Sequence, residues 1–249
     1  MRDPRAWRLL DSGLVRPAES AALDEALLDS LASGASPPTL HFYVRAVPTV
    51  SIGYFQKVGE SVDLDACGRL GVSIVRRRSG GSSIYTDQGQ LIFALVLPDT
   101  ALPNDREGSF RLVCGEVARV LSSYGLDARY RAVNDVEVGG RKLSGSAQLR
   151  GRGCVLHHGT LIVDTDLGRM DAVLRAGPSG TRPSERVTTM ASLLGHAPEM
   201  HDVKARLASA FSGLFGKSFV PGPMTADEGS TVRKLVEERY SKDAWNLRR

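Results

Sequence analysis

Residues 75–98 read VRRRSGGSSIYTDQGQLIFALVLP. Three arginines run into a Gly-Gly-Ser-Ser turn, and the apolar run LIFALVLP, patterned for a buried strand, follows within a few residues. Two strands set so close leave no room for a helical crossover between them. The same spacing recurs along the chain. TLHFYVR (39–45) and TVSIGYF (49–55) are parted only by Ala46, Val47 and the turn residue Pro48. DARYRAV, DVEV, RKLSGSAQLR and VLHHGTLIV follow one another from residue 127 to 163 with short gaps. TLHFYVR and TVSIGYF are rich in β-branched and aromatic residues between turn residues.

Helical patterns lie between these groups. PAESAALDEALLDSLASG places Leu23, Ala26, Leu27 and Leu31 on one face and ends at Gly34. SFRLVCGEVARVLSSYG carries an apolar stripe from Phe110 to Tyr124, with Gly125 after its end. Further helices are expected around 63–70, 166–176, 202–216 and 230–241, and a strand at WRLLDSG. Helices interleaved with closely spaced strands predict an α+β fold with mixed, mostly antiparallel sheets flanked by helices. A chain of 249 residues makes one large domain or two small ones.

The composition narrows the function. Forty-two per cent hydrophobic and 24% charged residues fit a globular chain. No apolar run approaches a membrane span, and MRDPRAWRLLDSG lacks the apolar core of a signal peptide, so a cytoplasmic protein is expected. Cys67, Cys114 and Cys154 are odd in number and scattered, which argues against a disulfide framework or a zinc site. A net charge of +4 suits an anionic ligand or an acidic partner. The basic residues do not cluster with aromatics on one element, so nucleic acid is not the expected partner.

Three segments could carry chemistry. In RRRSGGSSIY, Gly80 and Gly81 let main-chain N–H groups approach a phosphate or carboxylate, and one of Arg76, Arg77 and Arg78 should face the same space; solvated arginines on a hairpin are the plainer alternative. In NDVEVGGRKLSGSAQLR, the VGGRK turn sets Lys142 at the start of a strand, as a phosphate contact or a surface lysine. In CVLHHGTLIVD, His157 and His158 point to opposite faces of a strand and cannot chelate one metal together. Cys154 beside them could form a Cys–His pair. The Pro/Gly/Ser loop RAGPSGTRPSERVTT (175–189) is a candidate capping segment.

In order and wording these segments resemble the lipoate–protein ligase A family, within the biotin/lipoate protein ligase superfamily, which implies one catalytic domain over residues 1–249. RRRSGG, ND…GGRKLSGSA and HHGTLI follow at that family's separations, joined by ALDEALL, TVSIGYFQ, SERVTTMASLL and YSKDAWN. The resemblance implies an ATP- and Mg2+-dependent activation of lipoate or octanoate to an acyl-adenylate. The acyl group then passes to a lysine of a lipoyl domain, on a 2-oxoacid dehydrogenase complex or the glycine-cleavage H protein. It implies Lys142 as the catalytic contact to the α-phosphate and acyl carbonyl. The ligand would lie among Arg76, Arg77, Ser79, Gly80, Gly81, Ser82, Tyr85, Asn134, Asp135, Ser144, Gly145, Ala147, His158, Gly159 and Thr160, with Asp135 at the metal.

The sequence departs from the family at Ser82, Ser83, Ile84, Thr86 and Gln90, where Gly-Ala-Val, a histidine and an asparagine are usual. After AWNLRR many members continue into an accessory domain, so a separate accessory subunit is a candidate partner. Two alternatives stand beside the ligase. One is an octanoyltransferase using a cysteine thioester, although no cysteine lies between Tyr124 and Lys142 or after Cys154. The other is a non-catalytic binder of lipoyl domains.

Overall fold

The structure is a computed structural model that describes residues 6–177 and 180–248. The chain begins β1 (Ala6–Val15), α1 (Pro17–Ala32), β2 (Thr39–Arg45), β3 (Thr49–Ile52), α2 (Val58–Ser61), α3 (Leu64–Leu70) and β4 (Ser73–Arg76). It continues β5 (Ile84–Thr86), β6 (Gln90–Pro98), α4 (Arg106–Ser122), β7 (Ala128–Arg131), β8 (Asp135–Val138), β9 (Arg141–Gly151) and β10 (Cys154–Ile162). The last part holds α5 (Leu167–Val173), α6 (Met190–Leu194), α7 (Met200–Phe215), β11 (Ser218–Pro221), α8 (Ala226–Leu235) and α9 (Asp243–Asn246).

Two sheets form. The larger has the order β11-β1-β2-β6-β10-β9-β8-β7, and the smaller β4-β3-β5. Only β1–β11, β1–β2 and β3–β4 pair in parallel; the remaining neighbours are antiparallel. The mixed, mostly antiparallel α+β architecture expected from strand spacing is the one observed. β11 carries no alternation in SFVP and was not foreseen; its parallel register with β1 recruits it.

β6 is buried on both faces, which is why LIFALVLP reads as a continuous apolar run. On one face Phe42, Phe93 and Leu95 pack with Phe110, Val113 and Val117 of α4 and Phe211 of α7. On the other, Tyr43 and Ile92 pack with Ala22, Leu23 and Ala26 of α1 and Val232 of α8. Helix α4 starts at Arg106, three residues before the expected SFRL segment, because the Asp105 side chain accepts from Gly108 N and caps it. It ends at Ser122, so Tyr124 lies past the helix, where its hydroxyl donates to Asp202 at 2.6 Å. Among the described residues no helix is long and apolar enough to cross a membrane.

Candidate active site

The loop after β4 is organised by its arginines, and the strand ends at Arg76. Arg76 and Arg77 point to opposite sides. Arg76 is fully buried and donates to the carbonyls of Gly53, Tyr54, Gln56, Trp245 and Arg248, so it clamps the C-terminal segment and stands away from the cavity that Arg77 lines. Arg77 faces the other way. Its Nε donates to Ser79 Oγ at 3.1 Å, Nη1 to Ser51 O at 2.9 Å, and Nη2 to Gly80 O and Ser82 O at 2.8 Å. Arg77 brings a charge to the site while its N–H groups hold the loop in shape. Burial, then the neighbouring Arg45, lowers its pKa to about 10, which leaves it protonated at neutral pH. Arg78 lies outside the site and pairs with Glu25 at 2.8 Å.

Gly81 has φ +95°, and its carbonyl lies only 2.0 Å from where a Cβ on Gly53 would sit. Two loops thus pack backbone to backbone, which glycine alone permits.

In the β8–β9 hairpin Gly139 and Gly140 both have positive φ (57° and 76°), as a two-residue type I′ turn requires. The turn sets Lys142 at the start of β9, as expected. Its Nζ lies 2.7 Å from Asp135 Oδ1 and stretches over Gly145, where a Cβ would meet Nζ at 2.2 Å. The end of the 175–189 loop closes on the same residue: Val187 pairs with Lys142, and Thr188 N donates to Lys142 O at 2.9 Å. Pro178 and Ser179 of that loop lie outside the described residues.

On β10 the two histidines divide as the period of two requires. His157 enters the core beside Phe93 and Phe110 and accepts from Gln148 at 2.9 Å; burial lowers its pKa to about 3. His158 faces the other side. Its Nδ1 lies 2.7 Å from Asp24 Oδ2 and its Nε2 2.7 Å from Ser79 Oγ. With a neutral ring, Arg77 donates to Ser79, Ser79 to His158, and His158 to Asp24. This chain ties α1, β10 and the Gly-Gly loop into one rigid corner.

These pieces enclose a cavity of about 670 Å³, part of it open to solvent. Of the expected residues, Arg77, Gly81, Ser82, Asn134, Lys142, Gly145, Ala147, His158, Gly159 and Thr160 line it. Ser79 and Gly80 stand behind it, holding His158 and Arg77. Tyr85 and Asp135 line a second cavity, which shares Ser82, Ile84, Lys142 and Thr160 with the first and is closed by Pro183, Glu185, Arg186 and Val187. Ser144 lines neither; it pairs with Leu161 and Val136 on the core face. Among the departures from the family, Ser83 bonds Ser61 at 2.9 Å and Gln56 at 2.9 Å, and Thr86 Oγ1 accepts from Arg45 Nε at 3.3 Å.

Sequence reasoning missed Asp24, Tyr43, Arg45, Ser51 and Ser146 on the cavity wall. Asp24 left one signal, a carboxylate amid the apolar face of ALDEALL. Arg45 ends a strand whose seven residues are all buried, and nothing in TLHFYVR marks it as facing a cavity. None of the three cysteines lines either cavity. Cys154, the candidate for a Cys–His pair, sits four residues before His158 at the start of β10, opposite Pro98. Cys114 is nearer, with Sγ 3.7 Å from Ser146 Oγ and 3.8 Å from Asn134 O; burial pushes its thiol up to about 11.

A family model described as the lipoyl protein ligase A/B catalytic domain matches residues 16–212. The octanoyltransferase LipM of Symbiobacterium thermophilum is 34% identical over 98% of this chain and 98% of its own length. That of Kyrpidia tusciae is 31% identical over 98% and 100%. Among solved structures, a lipoate-protein ligase A bound with ATP superposes with a TM-score of 0.87 at 32% identity, over 97% of this chain and 98% of its own. The bipartite lipoate protein ligase of Thermoplasma acidophilum, described together with its E2 lipoyl domain, gives 0.85 at 32% identity over 97% and 96%. The T. acidophilum protein Ta0514 with bound lipoic acid gives 0.84 at 32% identity over 97% and 99%.

Proposed function

The chain belongs to the lipoyl protein ligase A/B catalytic-domain family, and from that premise we propose that it joins lipoate or octanoate to a lysine of a lipoyl domain through an acyl-adenylate. The observation that carries this reading is the make-up of the cavity wall. Among the described residues it presents three cations (Arg45, Arg77 and Lys142), one carboxylate (Asp24), the His158 ring, hydroxyls, apolar side chains and backbone, and no thiol. An adenylate route needs no protein nucleophile. The acid's carboxylate attacks the α-phosphorus of ATP and pyrophosphate leaves; the neutral amine of the acceptor lysine then attacks the acyl carbonyl and AMP leaves.

The chain's part is electrostatic and positional. Lys142 lies where the two cavities meet, so its ammonium faces both the phosphate and the acyl carbonyl of an intermediate laid across the junction. Arg77 adds positive charge from a site that excludes water, where the field is stronger than in solvent. Arg186 and Lys142 on the second cavity suit the phosphates of a nucleotide. Asp135 on the same wall suits Mg2+, an ion that takes one or two carboxylates and completes its shell with phosphate and water oxygens. The ion would supply neutralisation of the phosphate charge. Solved relatives with ATP and with lipoic acid support both ligands. The bipartite relative and its lipoyl domain support an acceptor of that kind and a separately encoded accessory subunit.

Octanoyl transfer from an acyl-carrier protein or another lipoyl domain is the second reading. The curated relatives back it better than they back the ligase, since both named above are octanoyltransferases. A thioester route would call on Cys114 before Cys154, and would require Ser146 and Asn134 to open a path to it. The experiment is acyl transfer to a purified lipoyl domain, scored by intact mass, from free lipoate or octanoate with and without Mg-ATP, and from octanoyl-acyl-carrier protein without ATP. An adduct that requires ATP establishes the ligase. One from the carrier protein alone establishes the transferase, and Cys114→Ser should then abolish it. No adduct from either source leaves a lipoyl-domain-binding protein.

A further inference from the structure

The second cavity is closed by a strap, residues 183–188, which starts as a turn of 3-10 helix (Pro183–Arg186) and runs into the bridge between Val187 and Lys142. The arginines at its two ends are used differently. Arg182 is committed to Glu185, with Nε 2.8 Å from the carboxylate. Arg186 makes no hydrogen bond or ion pair among the described residues and lines the cavity together with Lys142. A guanidinium left open in this way binds phosphate well only if the backbone carrying it is already fixed, because otherwise binding must order the backbone as well.

The group that fixes it lines neither of the two cavities. Asp171 of α5 accepts from Ser184 N at 2.8 Å with Oδ1 and from Ser184 Oγ with Oδ2, so one carboxylate holds both the main chain and the side chain of a residue in the turn. The far end of the strap is held by Thr188 N on Lys142 O at 2.9 Å. Only Glu185, Arg186 and Val187 lie between these anchors. Helix α5 is a firm support. Its Met170 and Val173 are buried with Val50, Ile52 and Tyr85 of the small sheet. The chain entering it hangs on Asp87, whose Oδ1 accepts from Thr165 Oγ1 at 3.1 Å and Oδ2 from Asp166 N at 3.0 Å. Asp87 directly follows β5, the strand that brings Tyr85 to the cavity wall. The strap and the opposite wall therefore share one frame.

We propose that Asp171 is a positioning residue for phosphate binding: through Ser184 it sets the strap so that Arg186 meets the nucleotide phosphates beside Lys142. The inference rests on the adenylate reading above. Asp171 touches no substrate, and its part is to remove the ordering cost that an unanchored Arg186 would impose on binding.

Steady-state kinetics with Mg-ATP, octanoate and a lipoyl domain provide the test. Asp171→Ala should raise the KM for Mg-ATP about tenfold. The KM for octanoate should stay within about twofold, because the first cavity, which takes the acyl chain, has no strap residue on its wall. Asp171→Asn keeps an acceptor for Ser184 N and offers a donor to Ser184 Oγ, so it should restore most of the loss. Ser184→Ala keeps the main-chain bond and should raise the KM for Mg-ATP about threefold; it decides the matter if Asp171→Ala does not fold. An unchanged KM for Mg-ATP, an equal rise in both KM values, or an asparagine variant no better than alanine would each overturn the inference. If the native chain transfers octanoyl without ATP, or forms no adduct, the adenylate reading itself fails. Calorimetric titration with magnesium pyrophosphate then decides: binding by the native chain at least about threefold tighter than by Asp171→Ala or, should that variant not fold, Ser184→Ala supports the inference, and equal binding or none overturns it.

Discussion

The front and back of the same strands treat identical residue types in opposite ways. Behind β4, Arg76 is wrapped by five backbone carbonyls and joins the C-terminal segment to the body of the protein. In front, Arg77 holds the Gly-Gly loop and faces the cavity. On β10, His157 is a neutral core residue between aromatic rings, while His158 bridges Asp24 and Ser79 at the site. Residue type alone does not distinguish structural from functional use. The side of the strand does: the α4 side of β10 and the C-terminal-segment side of β4 are packed, and the opposite side of each faces the cavity.

The largest test of this division is Lys142→Ala. It should lower acyl transfer by at least about 10²- to 10³-fold, with an unchanged circular dichroism spectrum, since it removes a charge aimed at the reacting atoms. Retained activity would remove Lys142 from the mechanism. Arg76→Leu should do the reverse. Stripping the donor from several buried carbonyls is expected to cost about 3 kcal/mol or more, read from the urea midpoint, while ligand affinity per folded molecule stays unchanged. Lost affinity without lost stability would move Arg76 to the front of the sheet.

Acid tests the buried histidines of both faces next. Burial lowers the pKa of His157 to about 3 and of His41 to about 4, from 6.5. Below pH 6.5 the unfolded chain takes up protons that the native state refuses, so stability falls as pH falls from 6.5 toward 4. At pH 5 the loss is about 2 kcal/mol for each histidine. Urea midpoints at pH 7 and pH 5 check it, and His157→Gln should remove about half of the slope. The smallest expected effect is that of Ser79→Ala, which leaves His158 Nε2 and Arg77 Nε without their shared partner. A loss of about 1 kcal/mol in stability is expected, together with weaker acid binding as Arg77 loses its anchor.

Much of this was legible locally. Strand spacing gave the α+β class, the two glycines of VGGRK gave the turn that presents Lys142, and the period of two placed His157 and His158 on opposite faces. These features depend on a few neighbouring residues and on backbone geometry, which sequence expresses directly. Which face would be the site was not legible. Arg76 and Arg77 alternate whichever side packs, and only the C-terminal carbonyls of Trp245 and Arg248 assign Arg76 to the back. Arg45 and Asp24, which line the cavity, belong to segments with no local mark of chemistry. Arg45 is held on the cavity wall by Thr86, Ser20 and Pro17, which come from two distant elements. The sequence by itself determined the elements and their turns, because those follow from short-range sterics and hydrophobic period. The tertiary structure decided which buried polar groups find partners and which are left facing a ligand, because that balance is summed over residues far apart in the chain.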